Sequence, residues 1–300
     1  MRVTPLPFER EDSGETPGVV TLTLEQPGKP VVVLDSDLLK RIDATLDAIG
    51  TEFGTDLAGF VLASASERVF VAGANLVEID GLSDPELHEY LEFGARVYGR
   101  IADMPCTTVA AINGAALGGG LEIAMHCDVL VGLRTPEGGK PYPVGLPEAG
   151  LGLCPGWGGT ALLPARIDPE RAIRMTCTGT PMTSDEAADA GLLGELADDR
   201  AGLLTLAKRV AARPKSGPGP RSIAQDDVAS GVRSTLDRIR TDLPQTKAAA
   251  AVVECIEAGL DRGWRAALEC ERRNLVSIRH TPEAREALEA FFNKGKSGRR

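Results

Sequence analysis

The stretch Ala110-Ala-Ile-Asn-Gly-Ala-Ala-Leu-Gly-Gly-Gly-Leu-Glu122 runs from an apolar segment into three glycines and then a carboxylate. Thr107 to Ile112 reads as a buried strand and Gly120 to His126 as a short helix, so the glycines form the turn between them. Glycine lets a ligand approach the backbone closely, and unpaired N–H groups at a helix start, aided by the helix dipole, suit an anionic oxygen. Glu122 follows Gly119 by three residues, which places it in the first turn on roughly the same side. Neither the P-loop pattern nor the dinucleotide-binding glycine pattern fits, which argues against nucleotide phosphate at this turn. Two readings stay open. Donor and base share a pocket, or the glycines serve only close helix–strand packing and Glu122 is a solvated first-turn residue.

Working outward, Val19 to Leu24 reads as a strand and Asp35 to Ile49 as a helix with Asp35 or Ser36 as N-cap. Leu57 to Ala63 reads as a second strand, Asp84 to Met104 as a long helix and Val129 to Val131 as a further strand. The alternation argues for an α/β core of parallel strands joined by helical crossovers. From about Ser184 the strands are expected to stop. Helices follow at Ser184–Ala190, Ala201–Ala211, Ser222–Thr241, Gln245–Ala258, Arg265–Val276 and Pro282–Phe292. The run from Arg213 to Arg221 is too rich in Pro and Gly for regular structure. The expected organisation is therefore a core over 1–212, a linker over 213–221 and a helical region over 222–300, with a frayed basic tail from Asn293.

Composition narrows the function. The 300 residues are 43% hydrophobic and 25% charged, as in an ordinary globular protein. Thirty-three basic side chains against 43 acidic ones give a formal net charge of −10, which disfavours a nucleic-acid partner. Any phosphate-bearing ligand must then be held by a local arrangement. The six cysteines include no pair at zinc-ligand spacing and there are three histidines, so no metal is expected. No secretory leader or membrane-spanning run is evident, and the cysteines read as buried thiols of a cytoplasmic protein.

Two further segments combine small residues with a carboxylate: Phe70-Val-Ala-Gly-Ala-Asn-Leu-Val-Glu78 and Gly145-Leu-Pro-Glu-Ala-Gly-Leu-Gly-Leu-Cys-Pro-Gly-Trp-Gly-Gly159. Glu148 lies among Gly, Ala, Leu and Pro. It is either on a surface turn or a desolvated group with a raised pKa, suited to proton transfer.

The three segments, in this order and spacing, resemble the crotonase (enoyl-CoA hydratase/isomerase) superfamily. Val253 to Gly259, Ala267 to Arg272 and His280 to Glu286 resemble the hydratase half of the multifunctional fatty-acid oxidation α subunit, and the resemblance covers roughly 18–292. It implies the crotonase spiral of ββα units with a helical C-terminal region, packed into trimers or hexamers. It also implies an enoyl-CoA hydratase acting on a trans-2-enoyl-CoA in β-oxidation, with coenzyme A as part of the substrate and no separate cofactor. The thioester oxygen is expected on the backbone N–H groups of Ala74 and Gly119, with Ala72, Gly73, Ala74 and Gly118 against the coenzyme A thioester. Glu122 is the expected base toward water and Glu148 the acid toward C2. The alternatives are a Δ3–Δ2-enoyl-CoA isomerase using Glu148, or a non-catalytic subunit bound to a dehydrogenase or thiolase. Asn75 stands where many hydratases have Asp, and Thr135 to Pro143 is richer in Pro and Gly than the family's usual stretch. No stretch after Phe292 resembles the NAD-binding dehydrogenase half.

Overall fold

The computed structural model describes residues 3–217, 219 and 222–297, with side chains to residue 293. In chain order the strands are β1 (Phe8–Arg10), β2 (Val19–Leu24), β3 (Gly59–Ser64), β4 (Val69–Val71), β5 (Thr107–Ile112), β6 (Ala115–Leu117), β7 (Val129–Leu133), β8 (Pro143–Gly145), β9 (Met182–Thr183) and β10 (Glu195–Ala197). The helices are α1 (Ser36–Phe53), α2 (Leu76–Gly81), α3 (Asp84–Ala102), α4 (Gly119–Met125), α5 (Gly159–Leu162), α6 (Pro169–Thr178), α7 (Ser184–Asp189), α8 (Arg200–Ala211), α9 (Asp226–Ile239), α10 (Lys247–Arg262), α11 (Trp264–Ile278) and α12 (Pro282–Ser297). The chain divides into two compact units, one of Met1–Ala74, Arg96–Val144 and Met182–Pro220, the other of Asn75–Ala95, Gly145–Pro181 and Arg221–Arg300. Among the described residues no helix is long and apolar enough to cross a membrane.

The first unit carries the β-structure. A six-stranded sheet runs β1-β2-β3-β5-β7-β10, parallel except for the antiparallel β1–β2 pair. All six residues of β3 and of β5 are buried, as expected of parallel strands covered on both faces. Leu203, Leu206, Ala207 and Val210 of α8 bury one face, against Val61, Val109, Ala111 and Val131. The helix α1 is started by Asp35, whose side chain accepts the Leu38 N–H at 2.8 Å, and it runs four residues beyond the expected Ile49 to Phe53.

A second sheet, ordered β4-β6-β8-β9, is invisible to periodicity because its strands are two or three residues long. Strands do not stop at Ser184. Glu195–Ala197 pairs in parallel with Val131–Leu133, an edge strand too short and too poor in β-branched residues to announce itself.

The second unit is helical. Val232 and Leu236 of α9, Val252 and Ile256 of α10, and Ala267 and Ile278 of α11 share one core with Ile173 and Cys177 of α6, a helix the sequence reading left out. All six cysteines of the chain are buried thiols. The tail expected to fray from Asn293 continues α12 to Ser297, since no proline interrupts it and a single glycine is tolerated. Residues 298–300 of that tail and 218, 220 and 221 of the expected linker lie outside the described residues.

Arg279, 5% exposed at the end of α11, holds the corner between α2 and α3. Its guanidinium donates to the carbonyl oxygens of Ile79 and Leu82 and to Asp84 Oδ1, the last two at 2.7 and 2.6 Å. Removing those donors strands buried carbonyls. Arg279→Met should therefore lower the unfolding free energy by about 2–4 kcal/mol in urea titration, the range for breaking a buried charged network. A loss under about 0.5 kcal/mol, as at an ordinary surface site, would remove Arg279 from this role.

Candidate active site

The first unit gathers a group of the expected site residues where β4 and β6 end side by side. Ala72 N–H donates to Val32 O and Leu34 N–H to Gly73 O, each at 2.9 Å, and Leu34 bridges in parallel to Ala74. This pairing fixes the backbone of Ala72, Gly73 and Ala74. On the neighbouring strand, β6 leads into Gly118, which caps α4 at φ 51°, a conformation favouring glycine. Leu121 and Glu122 donate their N–H groups to Gly118 O at 2.8 and 2.9 Å. Neither the Ala74 nor the Gly119 N–H has a hydrogen-bond acceptor among the described residues.

Gly120 has a different duty. A Cβ there would lie 2.4 Å from Val71 O, so only glycine lets α4 begin against β4. The packing role and the open N–H role thus fall on different glycines of one run. Glu122 is 1% exposed, which excludes the solvated first-turn reading. Its carbonyl accepts from the His126 backbone, and the His126 ring Nδ1 sits 2.9 Å from the same oxygen. Tyr98 stacks edge-on against that ring and donates its hydroxyl proton to Gly119 O at 3.2 Å, so the α4 turn is held from both ends. The structure therefore brings Ala72, Gly73, Ala74, Gly118, Gly119 and Glu122 into one unit.

Glu148 belongs to the second unit. It opens a 3-10 turn over Glu148–Leu151, closed by Gly152 in the left-handed conformation and by Leu153 N–H donating to Glu148 O at 2.9 Å. The residue is half-buried, but its Oε2 is sealed from solvent without a hydrogen-bond partner among the described residues. A surface turn would leave that oxygen hydrated, so the desolvated reading holds.

The same unit contains a second buried carboxylate that the sequence reading did not single out as a site residue. Glu271 of α11 is fully buried and accepts from the Gly158 N–H, the Thr160 N–H at 2.9 Å and the Thr160 hydroxyl. Its signal was available: Glu271 falls four residues after Ala267 and four before Leu275, on the buried stripe of its helix. Gly158 adopts φ 103°, and a Cβ there would strike the Trp264 ring at 2.4 Å, so the turn that Glu271 holds requires glycine.

Burial raises the pKa of Glu148, and the neighbouring Glu271 charge adds to it; its own backbone N–H opposes only in part. Burial also raises Glu271, but hydrogen bonds from Thr160 and Gly158 stabilise its ionised form. Of the two, Glu148 therefore keeps the proton. A carboxyl that binds its proton more tightly when folded favours folding fully below the ordinary glutamate value of 4.5, and that contribution is lost as pH rises toward the folded value. Glu148→Gln removes the effect. The stability of the Gln variant relative to wild type should thus climb from pH 5 to 8, by at most about 1.4 kcal/mol per pH unit. A difference that stays flat with pH in denaturant titrations would contradict the desolvated carboxyl.

A surface cleft of about 670 Å³ in the first unit lies between the loops 25–32 and 65–68. Two cations on its wall escaped the sequence reading. Lys29 pairs with Asp35 at 2.6 Å, whereas the exposed Arg68 has no carboxylate partner among the described residues. Val32, on the cleft wall, is the residue whose carbonyl holds Ala72.

Residues 14–218 match the family model described as enoyl-CoA hydratase/isomerase. A fatty acid oxidation complex subunit alpha from Idiomarina loihiensis is 31% identical over 286 residues, covering 92% of this chain and 39% of the relative. The chain thus spans about two fifths of that subunit's length. A Bacillus subtilis protein named "Probable enoyl-CoA hydratase" is 29% identical over 279 residues and covers 93% of both chains. The crystal structure of an enoyl-CoA hydratase from Bacillus anthracis superposes with a TM-score of 0.58 at 26% identity, covering 94% of this chain and 95% of the other. With the glycine turn, the paired short strands and the helical second unit already in place, the match over more than two thirds of its length makes this chain a member of the enoyl-CoA hydratase/isomerase family, the crotonase superfamily.

Proposed function

We propose that the chain is an enoyl-CoA hydratase that adds water across the C2–C3 double bond of a trans-2-enoyl-CoA. The observation that carries this reading is Glu122, a buried carboxylate in the first turn after Gly119, in the same unit as Ala74. The N–H groups of Ala74 and Gly119 would hold the thioester oxygen as it gains charge. One such donor is worth about 10²–10³ in rate. Glu122 takes a proton from the water that attacks C3, and the electrons of the double bond move toward the thioester carbonyl to give the enolate. Glu148 then delivers its proton to C2. A carboxyl that holds its proton in a dry site suits that second role. In dehydration the two exchange roles.

The cleft beside Arg68 and Lys29 offers cations to the phosphates of coenzyme A, and its wall runs through Val32 into the backbone that presents Ala74. A strongly acidic chain can hold a phosphate ester when the cations are local in this way. Coenzyme A is then a part of the substrate and not a resident cofactor. Assembly into trimers or hexamers, a place in β-oxidation and partnership with a dehydrogenase or thiolase are extensions of the same reading. Light scattering on the purified chain, alone and mixed with such a subunit, tests them.

Glu148 also supports a second reading, a Δ3–Δ2-enoyl-CoA isomerase, because one carboxyl poised to give and take a proton is all that reaction needs. The two readings separate in the variants. Glu122→Gln and Glu148→Gln should each lower crotonyl-CoA hydration by about 10²–10⁴, the range for a positioned acid or base. The double variant should lose much less than the product, as groups acting in one proton-transfer sequence do. Cleanly multiplying losses would favour the isomerase, whereas a Glu122→Gln protein that loses hydration but keeps isomerisation would support dual activity.

A separate measurement addresses the cleft. Arg68→Ala should raise KM for the coenzyme A thioester by about 5–50-fold, the loss of one to two charge-assisted contacts. KM for a thioester lacking the nucleotide should not change. Equal KM changes for both substrates would place the phosphates elsewhere.

A further inference from the structure

The second unit holds two desolvated carboxylates, the half-buried Glu148 and the fully buried Glu271, and the chemistry proposed above uses one. Glu271 is satisfied by three donors from the Gly158–Thr160 turn, whereas Glu148 has an oxygen with none among the described residues. A buried carboxylate that only tied down a loop could be a neutral amide or an apolar residue at lower desolvation cost. The donor set here instead favours the ionised form, since two backbone N–H groups and a hydroxyl all point protons at one carboxylate.

Resting on the hydratase reading, we propose that Glu271 is a positioning residue of the reaction: it holds the Gly158–Thr160 turn and, as a fixed negative charge in the same interior as Glu148, keeps the proton on Glu148.

Among the described residues, the other charged groups on the elements around Glu148 are paired or reach solvent. The turn over Glu148–Leu151 packs against α6, α10 and α12. On α6, Glu170 and Arg174 pair with each other and with Arg238 and Asp242, Arg171 is half-buried, and Cys177 is a thiol pushed up to about 12 by burial. On α10, Glu254, Glu257 and Asp261 pair with Arg273, Arg240 and Arg233, Arg262 is exposed, Lys247 faces Glu283 of α12, and the Cys255 thiol is held neutral. On α12, Arg285 pairs with Asp80 while Glu286 and Glu289 are exposed. Ala149, next to Glu148, packs on the apolar core that holds Ala267 and Cys270 of the Glu271 helix, so the buried Glu271 carboxylate borders the same interior as Glu148.

The consequence is a pH profile. Hydration needs protonated Glu148, so kcat/KM falls at high pH as that proton is lost. Glu271→Gln keeps the shape of the side chain and removes the charge. Its alkaline limb should move down by on the order of one pH unit, the size of a like-charge interaction in a partly screened interior. Thr160→Val leaves Glu271 in place but deletes its hydroxyl donor, which makes Glu271 compete for the proton and should move the limb the same way by less. The infrared band of the protonated carboxyl that Glu148→Gln abolishes reads the same proton without turnover. In Glu271→Gln protein that band should disappear at lower pH than in wild type. Slower turnover with both the limb and the band unmoved would overturn the proposal and leave Glu271 as a loop anchor. A shifted band in a protein whose wild type fails to hydrate enoyl-CoA would uphold the coupling and reject the hydratase reading instead.

Discussion

The approach of Gly120 to the carbonyl of Val71 sets the geometry on which the site residues of the first unit depend. Two three-residue strands, β4 and β6, can pair only if the helix that follows β6 starts hard against β4, and a single methyl group at position 120 would prevent it. Once that contact is made, the remaining arrangement follows from backbone stereochemistry. Gly118 turns the chain through a positive φ, Gly119 becomes the first helical residue with its N–H pointing out of the helix, and Glu122 falls one turn later on the same side. On the facing strand, Val32 and Leu34 fix the backbone through Gly73, so that the Ala74 N–H is presented without an acceptor among the described residues. The site's donors are backbone groups, which is why the side chains around them are small.

The second unit solves a different problem, the presence of charge in an apolar helical interior. Desolvation opposes the ionised form of both Glu148 and Glu271. Three hydrogen bonds offset the conflict in part for Glu271, and the retained proton resolves it for Glu148. The two solutions are complementary, since a carboxylate fixed as an anion makes a nearby one harder to ionise. The glycines of the Gly156–Gly159 run serve this arrangement as well: with φ 103° at Gly158, the turn can deliver its N–H to Glu271 while Trp264 fills the space a side chain would need.

An acidic chain that takes a phosphate-bearing thioester must separate its overall field from its local one. Here the overall charge is −10, while the cleft wall in the first unit carries Lys29 and an Arg68 that has no carboxylate partner among the described residues. Some surface carboxylates pair with arginines, as at Asp43 with Arg96 and Arg100, while Glu25 and Glu67 line the cleft beside its two cations. Net charge thus limits non-specific polyanion binding without forbidding a specific anionic ligand.

The sequence by itself determined the parts that repeat a physical signal over enough residues. The buried strand Thr107–Ile112, the Asp35-capped helix and the late helices all announce themselves through uninterrupted apolarity or helical spacing. The glycine turn and Glu122 were legible for the same reason, because strand, turn and helix are contiguous in the chain. Glu148 was visible as a carboxylate in an apolar stretch, although whether it was wet or dry was not. Only tertiary structure decided that, since desolvation is set by residues far away in sequence. The strands β4, β6, β8, β9 and β10 were decided there too, being too short to carry a period and existing only through their partners. Glu271 became meaningful at the same level: its donors lie 111 and 113 residues earlier in the chain, a separation that no local pattern encodes.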